Sequence, residues 1–470
     1  MMLLMLTYAI LLPVLAGFLF VTYVLRSNPE IGFFERLFFG FGLGTGLMTF
    51  EMFLIAWAGI PFSTLIVSLI QAVTVIAFGY PAYRSGALFQ RNSLPSFTIQ
   101  WNRSMAGRLR SAFLVFLFCW IILKVLIVSY ESYILPVNSF DSWAHWSSGA
   151  KFIFFEKGLA LDPSNEHYFG AGYLKIQRYP LHIPLLQVWA SLCMNEVHES
   201  YMKVWSLYYY ISIIGLTYFS VRREASQLVA LLAAFFVSSA PLLTYHAIIA
   251  YADLPLGYYA LGCAICFWTY IKSTSNGNGH GSGGPLVLMG IFAAFGLWTK
   301  MEGLLFAAAW ALGLMLLRIK KMSWSNLFRY LTPVFFVAVP WYVFLLTTGA
   351  TVSYGEEKEV GAAVARGLHV EVLPVILKEL VMSANFNMIF PFLFALCLFG
   401  ARIILRSDLK YLLVPLITGL TLFLFLYVAT SSYMWVTTLT AIDRNILTFL
   451  PMVYYITVLI AIKLQNREGL

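Results

Sequence analysis

The chain has 470 residues, 60% of them hydrophobic, 17% aromatic and only 11% charged. Soluble domains carry about 25% charged residues, so composition excludes an ordinary soluble protein. A formal net charge of +9 suggests nucleic acid at first sight, but the placement of that charge points elsewhere. In chain order, apolar runs fall near 3–25, 37–59, 63–83, 111–130, 201–220, 227–247, 254–271, 286–299, 303–318, 327–346, 385–405, 411–430 and 446–463. A helix of about 20 residues crosses a ~30 Å hydrocarbon layer. Runs this continuous lack the alternation of a barrel strand. The expected fold is an all-α polytopic membrane protein of about 13 transmembrane helices, with interfacial helices in its first long external loop.

The N-terminal run has no basic n-region and no A-x-A-like site, so it reads as a first span and not a cleaved signal. The interval 84–110 holds Arg84, Arg91, Arg103, Arg108 and Arg110 and no acid. Placed in the cytoplasm, it puts 26–36, 221–226, 272–285, 318–326, 402–410 and the C-terminus on the same side. Those intervals and their edges hold 19 of the 30 basic residues and 5 of the 21 acidic ones. This is the positive-inside asymmetry. It explains the basic balance without a nucleic-acid partner and puts 131–200 outside.

The cysteines mostly fall within apolar runs. Cys263-Ala-Ile-Cys266 has redox or zinc spacing but lies mid-helix with no second pair, so it reads as packing. The inner loop 273–284, with His280, is a Gly- and Ser-rich linker. Lys124 and Glu51 lie inside spans; Lys124 is expected to snorkel outward and Glu51 to pair within the bundle.

The informative intervals are external. Asn138-Ser-Phe-Asp-Ser-Trp-Ala-His-Trp146 sets Asp141 beside Trp143, His145 and Trp146. Charge at a lipid–water boundary is costly unless paired or used. Segments 142–157 and 181–195 are too short or too polar to span and are expected to lie along the interface. The second begins at Tyr179-Pro-Leu-His-Ile-Pro184, and Arg178, Tyr179 and His182 are expected to face the outer compartment. Further external turns are Tyr251-Ala-Asp-Leu-Pro255, Trp298-Thr-Lys-Met-Glu-Gly303, 347–384 with Glu356 and Glu359, and 431–445 ending Ile442-Asp-Arg-Asn445.

Each candidate has a structural alternative. Asp141 is either a proton acceptor, being ionised at neutral pH, or the N-cap of the 142–157 helix. Lys300 and Glu302 form either a ligand-binding pair or a mutually neutralised couple at the interface. Arg444 either binds phosphate bidentately or pairs with Asp443 on a solvated turn. Asp253 binds a hydroxylated substrate or caps the helix that Pro255 starts.

Asp141 just past a span, Tyr-Ala-Asp-Leu-Pro at the next outer turn and Thr-Lys-Met-Glu-Gly at the one after resemble the GT-C superfamily. These are integral-membrane glycosyltransferases that use lipid-phosphate sugars. The likeness is to dolichyl-phosphate-mannose-protein-mannosyltransferase-like enzymes and lipid A aminoarabinose transferases. It covers roughly 111–320, with a weaker echo at Arg444. It implies an inverting transferase in a bacterial inner membrane, acting on the periplasmic face. Its donor would be a polyprenyl-phosphate-linked sugar, and its acceptor a lipid, glycan or protein. By the same resemblance Asp141 is the general base, Lys300 and Arg444 hold the donor phosphate, and Asp253, Glu302, Arg178, Tyr179, His182 and His145 bind substrate. No cofactor or metal is expected. The family often has an acidic pair where this chain has Asp141 followed by Ser142. Three spans precede the family-like core, which divides the chain into 1–110, 111–346 and 347–470. A lipid-linked-oligosaccharide flippase and a polysaccharide polymerase or ligase are the competing readings.

Overall fold

A computed structural model describes residues 1–90, 104–162, 164, 179–275, 283–321, 323–348, 368–430, 432–439 and 441–468. Arg91, Arg103, Arg178, His280, Glu356 and Glu359 lie outside the described residues. The described residues form helices and connections with no strand. The long and short helices used below are α1 (Met2–Val24), α2 (Phe33–Trp57), α3 (Thr64–Arg84), α4 (Met105–Ile134), α5 (Ser147–Phe155), α6 (His182–Met194), α7 (Glu199–Met202), α8 (Val204–Glu224), α9 (Gln227–Ser239), α10 (Pro241–Ala247), α11 (Asp253–Ser275), α12 (Gly283–Thr299), α13 (Gly303–Lys321) and α14 (Trp324–Thr347). They continue as α15 (Leu373–Met382), α16 (Ile389–Arg406), α17 (Leu409–Ala429), α18 (Tyr433–Thr437), α19 (Ile442–Leu447) and α20 (Leu450–Glu468).

Among the described residues, nine helices are long and apolar enough to cross a membrane, or ten if one bent pair counts as a span. The expected count of about 13 spans is therefore not confirmed. Each apolar run does become helix, but α12, α13 and α20 offer shorter apolar stretches, and the 227–247 run is broken. The break has a local cause. The residue before a proline is pushed out of the helical region; Ala240 is extended (φ −67°, ψ 116°) and Pro241 starts α10 at its first turn. The chain bends by 65° there.

The three N-terminal helices belong to the same bundle as the rest. Helix α2 packs on α1, α6, α8 and α12. At the α1–α2 crossing the backbones nearly touch: a Cβ on Gly17 would stand 1.9 Å from the Gly40 carbonyl oxygen, and one on Gly44 1.8 Å from that of Pro13. Gly40 and Gly44 are one turn apart, the small-xxx-small spacing that lets membrane helices approach closely. Glu51 on α2 accepts hydrogen bonds from Gln71 (2.5 Å) and Thr74 (2.7 Å) on α3, which ties the third helix to the second.

Helix α6 departs from expectation. Twelve of its residues, His182 through Cys193, are buried, so it is not an interfacial helix with one wet face. Its sequence runs Leu, Ile, Val and Trp around the whole circumference, and a helix apolar all round is buried. It lies against α1, α2 and α5, and the Trp189 indole donates to the Ala9 carbonyl at 2.8 Å. Helix α5 is half-buried, with Ala150 and Ile153 inward and Phe155 exposed.

The bundle has two chemically distinct ends. Helix α11 begins at Asp253; Lys272 lies roughly 28 Å further along its axis at 1.5 Å per residue. At that far end Lys272 pairs with Glu224 (2.8 Å) and Arg223 with Glu35 (2.9 Å). The near end gathers the ends of α4, α10 and α12 and the starts of α11, α13 and α20.

Candidate functional site

The near end builds an acid–base cluster from four segments. The first is the stretch after α4. Asp141 enters a π-wound turn, Ser142–Trp146, that runs into α5. Wide turns of this kind gather at functional sites. The backbone of Asp141 is already helical (φ −71°, ψ −28°), and its side chain makes no cap hydrogen bond. The N-cap alternative for this carboxylate therefore falls. Two bonds stitch this stretch to the α10–α11 connection: Asp141 N–H donates to the Tyr251 hydroxyl (3.2 Å), and Ala250 N–H donates to Ser142 Oγ (3.0 Å). The same connection is braced from beneath by Lys203, whose ammonium donates to the Ile248 carbonyl at 2.7 Å.

The second and third segments meet as a dry ion pair. Asp253 is in the first turn of α11 and 1% exposed; Lys300, between α12 and α13, is 5% exposed. The Lys300 ammonium reaches Asp253 Oδ1 and Glu302 Oε1, each at 2.9 Å. Gly303 makes this turn possible, since a Cβ there would lie 2.2 Å from the Gly296 carbonyl oxygen. Burial by itself would lower the proton affinity of Lys300, but the Asp253 and Glu302 carboxylates outweigh it and hold the ammonium above the ordinary lysine range. The expected Lys300–Glu302 couple is present, and it is a triad with Asp253.

The fourth segment is α19. Arg444 Nη1 lies 2.6 Å from Asp141 Oδ2, and Nη2 lies 3.5 Å from Asp253 Oδ2. The guanidinium also stands over the Tyr251 ring, 4.4 Å from its centroid, a cation–π distance. Burial opposes this charge, but Asp253 and Asp141 together hold it above its usual range. The alternative pairing with Asp443 is not made. Asp443 instead accepts a hydrogen bond from Asn385 at 2.6 Å, which anchors α19 to the segment before α16. Asn445 completes the cluster: its Oδ1 accepts from Lys300 at 3.4 Å and its Nδ2 donates to the Tyr427 hydroxyl.

Five of the sequence-derived candidates thus converge: Asp141, Asp253, Lys300, Glu302 and Arg444. His145 stands beside them, with Nε2 3.9 Å from Asp141 Oδ1. Tyr179 packs on Trp146, with ring centroids 5.3 Å apart, and its hydroxyl acts electrostatically on Lys300. His182 is a correction. It does not face an outer compartment; it is 0% exposed and bonds to Thr49 (2.7 Å) and the Tyr209 hydroxyl (2.7 Å) in a polar knot linking α2, α6 and α8. An uncharged imidazole between two hydroxyls suits that position, and burial pushes its pKa down to about 3.

Sequence reasoning missed Tyr251, Asn445, Tyr427 and Lys203. Tyr251 had a usable signal, since it stands two residues before Asp253 in a turn already singled out. Lys203 sits at the start of an apolar run, where a basic residue looks like any boundary charge. Among the described residues, no group of three or more His, Cys, Asp or Glu side chains is placed to hold a metal ion.

Long apolar helices closed at one end by a buried charged cluster define the class: an all-helical integral membrane protein. No protein-family model, curated protein or solved structure matches the chain.

Proposed function

We propose that this protein is a glycosyltransferase that moves a sugar from a polyprenyl-phosphate donor to a hydroxyl acceptor at the end of the bundle that carries Asp141. The observation that supports this reading is the convergence of three carboxylates and two cations from four distant segments at one end of a membrane bundle. An apolar fold tolerates such a cluster when it is paired or used. Asp141, Arg444 and Glu302 are its accessible members, with side chains 22%, 23% and 24% exposed, and of these Asp141 and Arg444 are paired with each other. In the proposed step the Asp141 carboxylate takes the acceptor hydroxyl proton. The oxygen attacks the anomeric carbon from the face opposite the phosphate, and the bond from that carbon to the phosphate oxygen breaks. Polyprenyl phosphate leaves with the electron pair, and Arg444 compensates its charge. Lys300, locked between two carboxylates, sets the position of Asp253 and Glu302 and the local field more than it offers free donors. The charge asymmetry of the loops supports an outer placement of this end; a bacterial inner membrane with its periplasmic face is what the resemblance implies.

The broken α9–α10 pair favours a second reading, because interrupted helices line the substrate paths of transporters. Purified protein in nanodiscs, given radiolabelled polyprenyl-phosphate sugars and a mixed acceptor extract, separates the two. Labelled product supports the transferase. Movement of the intact donor across a proteoliposome without turnover supports a flippase and overturns the transferase.

A further inference from the structure

The cluster has an inner and an outer tier. The inner pair, Asp253 with Lys300, is excluded from solvent and held at 2.9 Å. The outer pair, Asp141 with Arg444, is held at 2.6 Å and remains about a fifth exposed on both sides. Three carboxylates face two cations, so the formal charge is −1 with His145 neutral. An arriving phosphate group would therefore meet no net attraction while every carboxylate keeps its place. Of the three, only Asp141 both bonds to the accessible guanidinium and reaches solvent. Its backbone is fixed independently of its side chain, through the Tyr251 hydroxyl and the Ser142–Ala250 bond. Its other oxygen already looks toward His145 Nε2 at 3.9 Å.

We infer that Asp141 and the donor's phosphate compete for Arg444, so that donor binding exchanges one ion pair for another and releases the Asp141 carboxylate toward the acceptor. This rests on the transferase reading. It adds a built-in order: the base is masked by its own arginine until the phosphate displaces it. The Tyr251 ring beneath Arg444 and Asp253 beside it, both contacts independent of Asp141, keep the guanidinium aligned through the exchange. The released carboxylate turns away from the phosphate, toward the opposite face of the sugar ring, where the acceptor hydroxyl must sit. A resting enzyme without donor keeps its base occupied and spares itself futile water activation.

The test is binding of sugar-free polyprenyl phosphate to protein in zwitterionic nanodiscs. A simple general base leaves phosphate affinity unchanged when it becomes Asn. The exchange requires Asp141→Asn to bind about tenfold tighter or better, because the competitor for one charge-assisted hydrogen bond is gone. Asp141→Ser, with a smaller side chain, should behave alike. Asp443→Asn removes a charge one residue from Arg444 without freeing the guanidinium, since Asp443 bonds Asn385, and should leave affinity within about twofold. Equal affinity in wild type and both Asp141 variants overturns the exchange and leaves the transferase standing. An equal gain in Asp443→Asn also overturns it, since net charge would then be the cause. No binding by any variant overturns the transferase reading and the exchange with it. Phosphatidic acid at the same mole fraction is the second ligand: if it shows the same gain, the exchange holds and the polyprenyl assignment fails.

Discussion

The guanidinium of Arg444 holds the carboxylate of Asp141 at 2.6 Å while keeping a longer contact, 3.5 Å, to Asp253. One cation thus joins the stretch after α4 to the start of α11, and Lys300 joins α11 to the α12–α13 turn. The near end of the bundle is held by charge where most membrane helix contacts are held by packing.

Asp141→Asn should leave a folded protein and lose transfer. The side chain is partly exposed and caps nothing, so stability should change little. A general base contributes about 10²–10⁴-fold, so product formation from labelled donor should fall by at least that order. Wild-type rates in the variant would move the base elsewhere.

Lys300→Met should destabilise strongly. It strands Asp253, 1% exposed, without its main counter-charge. Breaking a buried pair by removing one partner costs about 3–5 kcal/mol. The double variant Asp253→Asn with Lys300→Met should recover part of the loss. Thermal unfolding in detergent measures both, and a single variant as stable as wild type would contradict the dry pairing.

Tyr251 can be dissected by two changes. Tyr251→Phe keeps the ring under Arg444 and loses the hydroxyl that accepts from Asp141 N–H. It should cost about 0.5–1.5 kcal/mol. Tyr251→Ala removes the ring too and should cost more in both stability and transfer. Equal effects of the two would show that the ring does nothing for Arg444.

His182 should affect stability and its pH dependence but not donor binding. Its pKa in the fold is about 3, below the ~6.5 of an unfolded histidine. The unfolded chain therefore takes up a proton that the native state refuses, and stability falls as pH drops below about 6.5. The loss between pH 7 and pH 5 should be about 2 kcal/mol from this residue. His182→Phe should be less stable at pH 7, because Thr49 and Tyr209 each lose one of their hydrogen bonds. Its stability should also decline less steeply on acidification. An unchanged acid slope in paired unfolding curves would assign the effect to other groups.

Trp143→Cys and Ser273→Cys should label from opposite sides of a sealed vesicle. Trp143 adjoins the charged cluster, and Ser273 follows Lys272 at the far end of α11. Labelling of both from one side would overturn the transmembrane reading of α11.

What the chain determines by itself is local. A run of about 20 apolar residues must satisfy its backbone internally and becomes helix, and each such run from Leu3 to Lys463 did so. The bend at Ala240-Pro241 is not anticipated: 227–247 reads as one run, and Pro13, Pro333, Pro340 and Pro415 lie inside continuous helices, so a proline alone does not mark a break. The charges that matter were also visible, because Asp141, Asp253, Lys300 and Arg444 stand at the ends of apolar runs where charge is costly. Partnership was not visible. Lys300 and Asp253 are 47 residues apart, and Arg444 and Asp253 are 191 apart. Nothing in either neighbourhood says which helix ends will meet. Arg444 passes over its own neighbour Asp443 because α19 turns that carboxylate toward Asn385. Segment 181–195 looked interfacial by length, yet α1, α2 and α5 enclose it. Hydropathy reports the solvent a segment prefers, and only the packed bundle decides whether lipid or protein meets that preference.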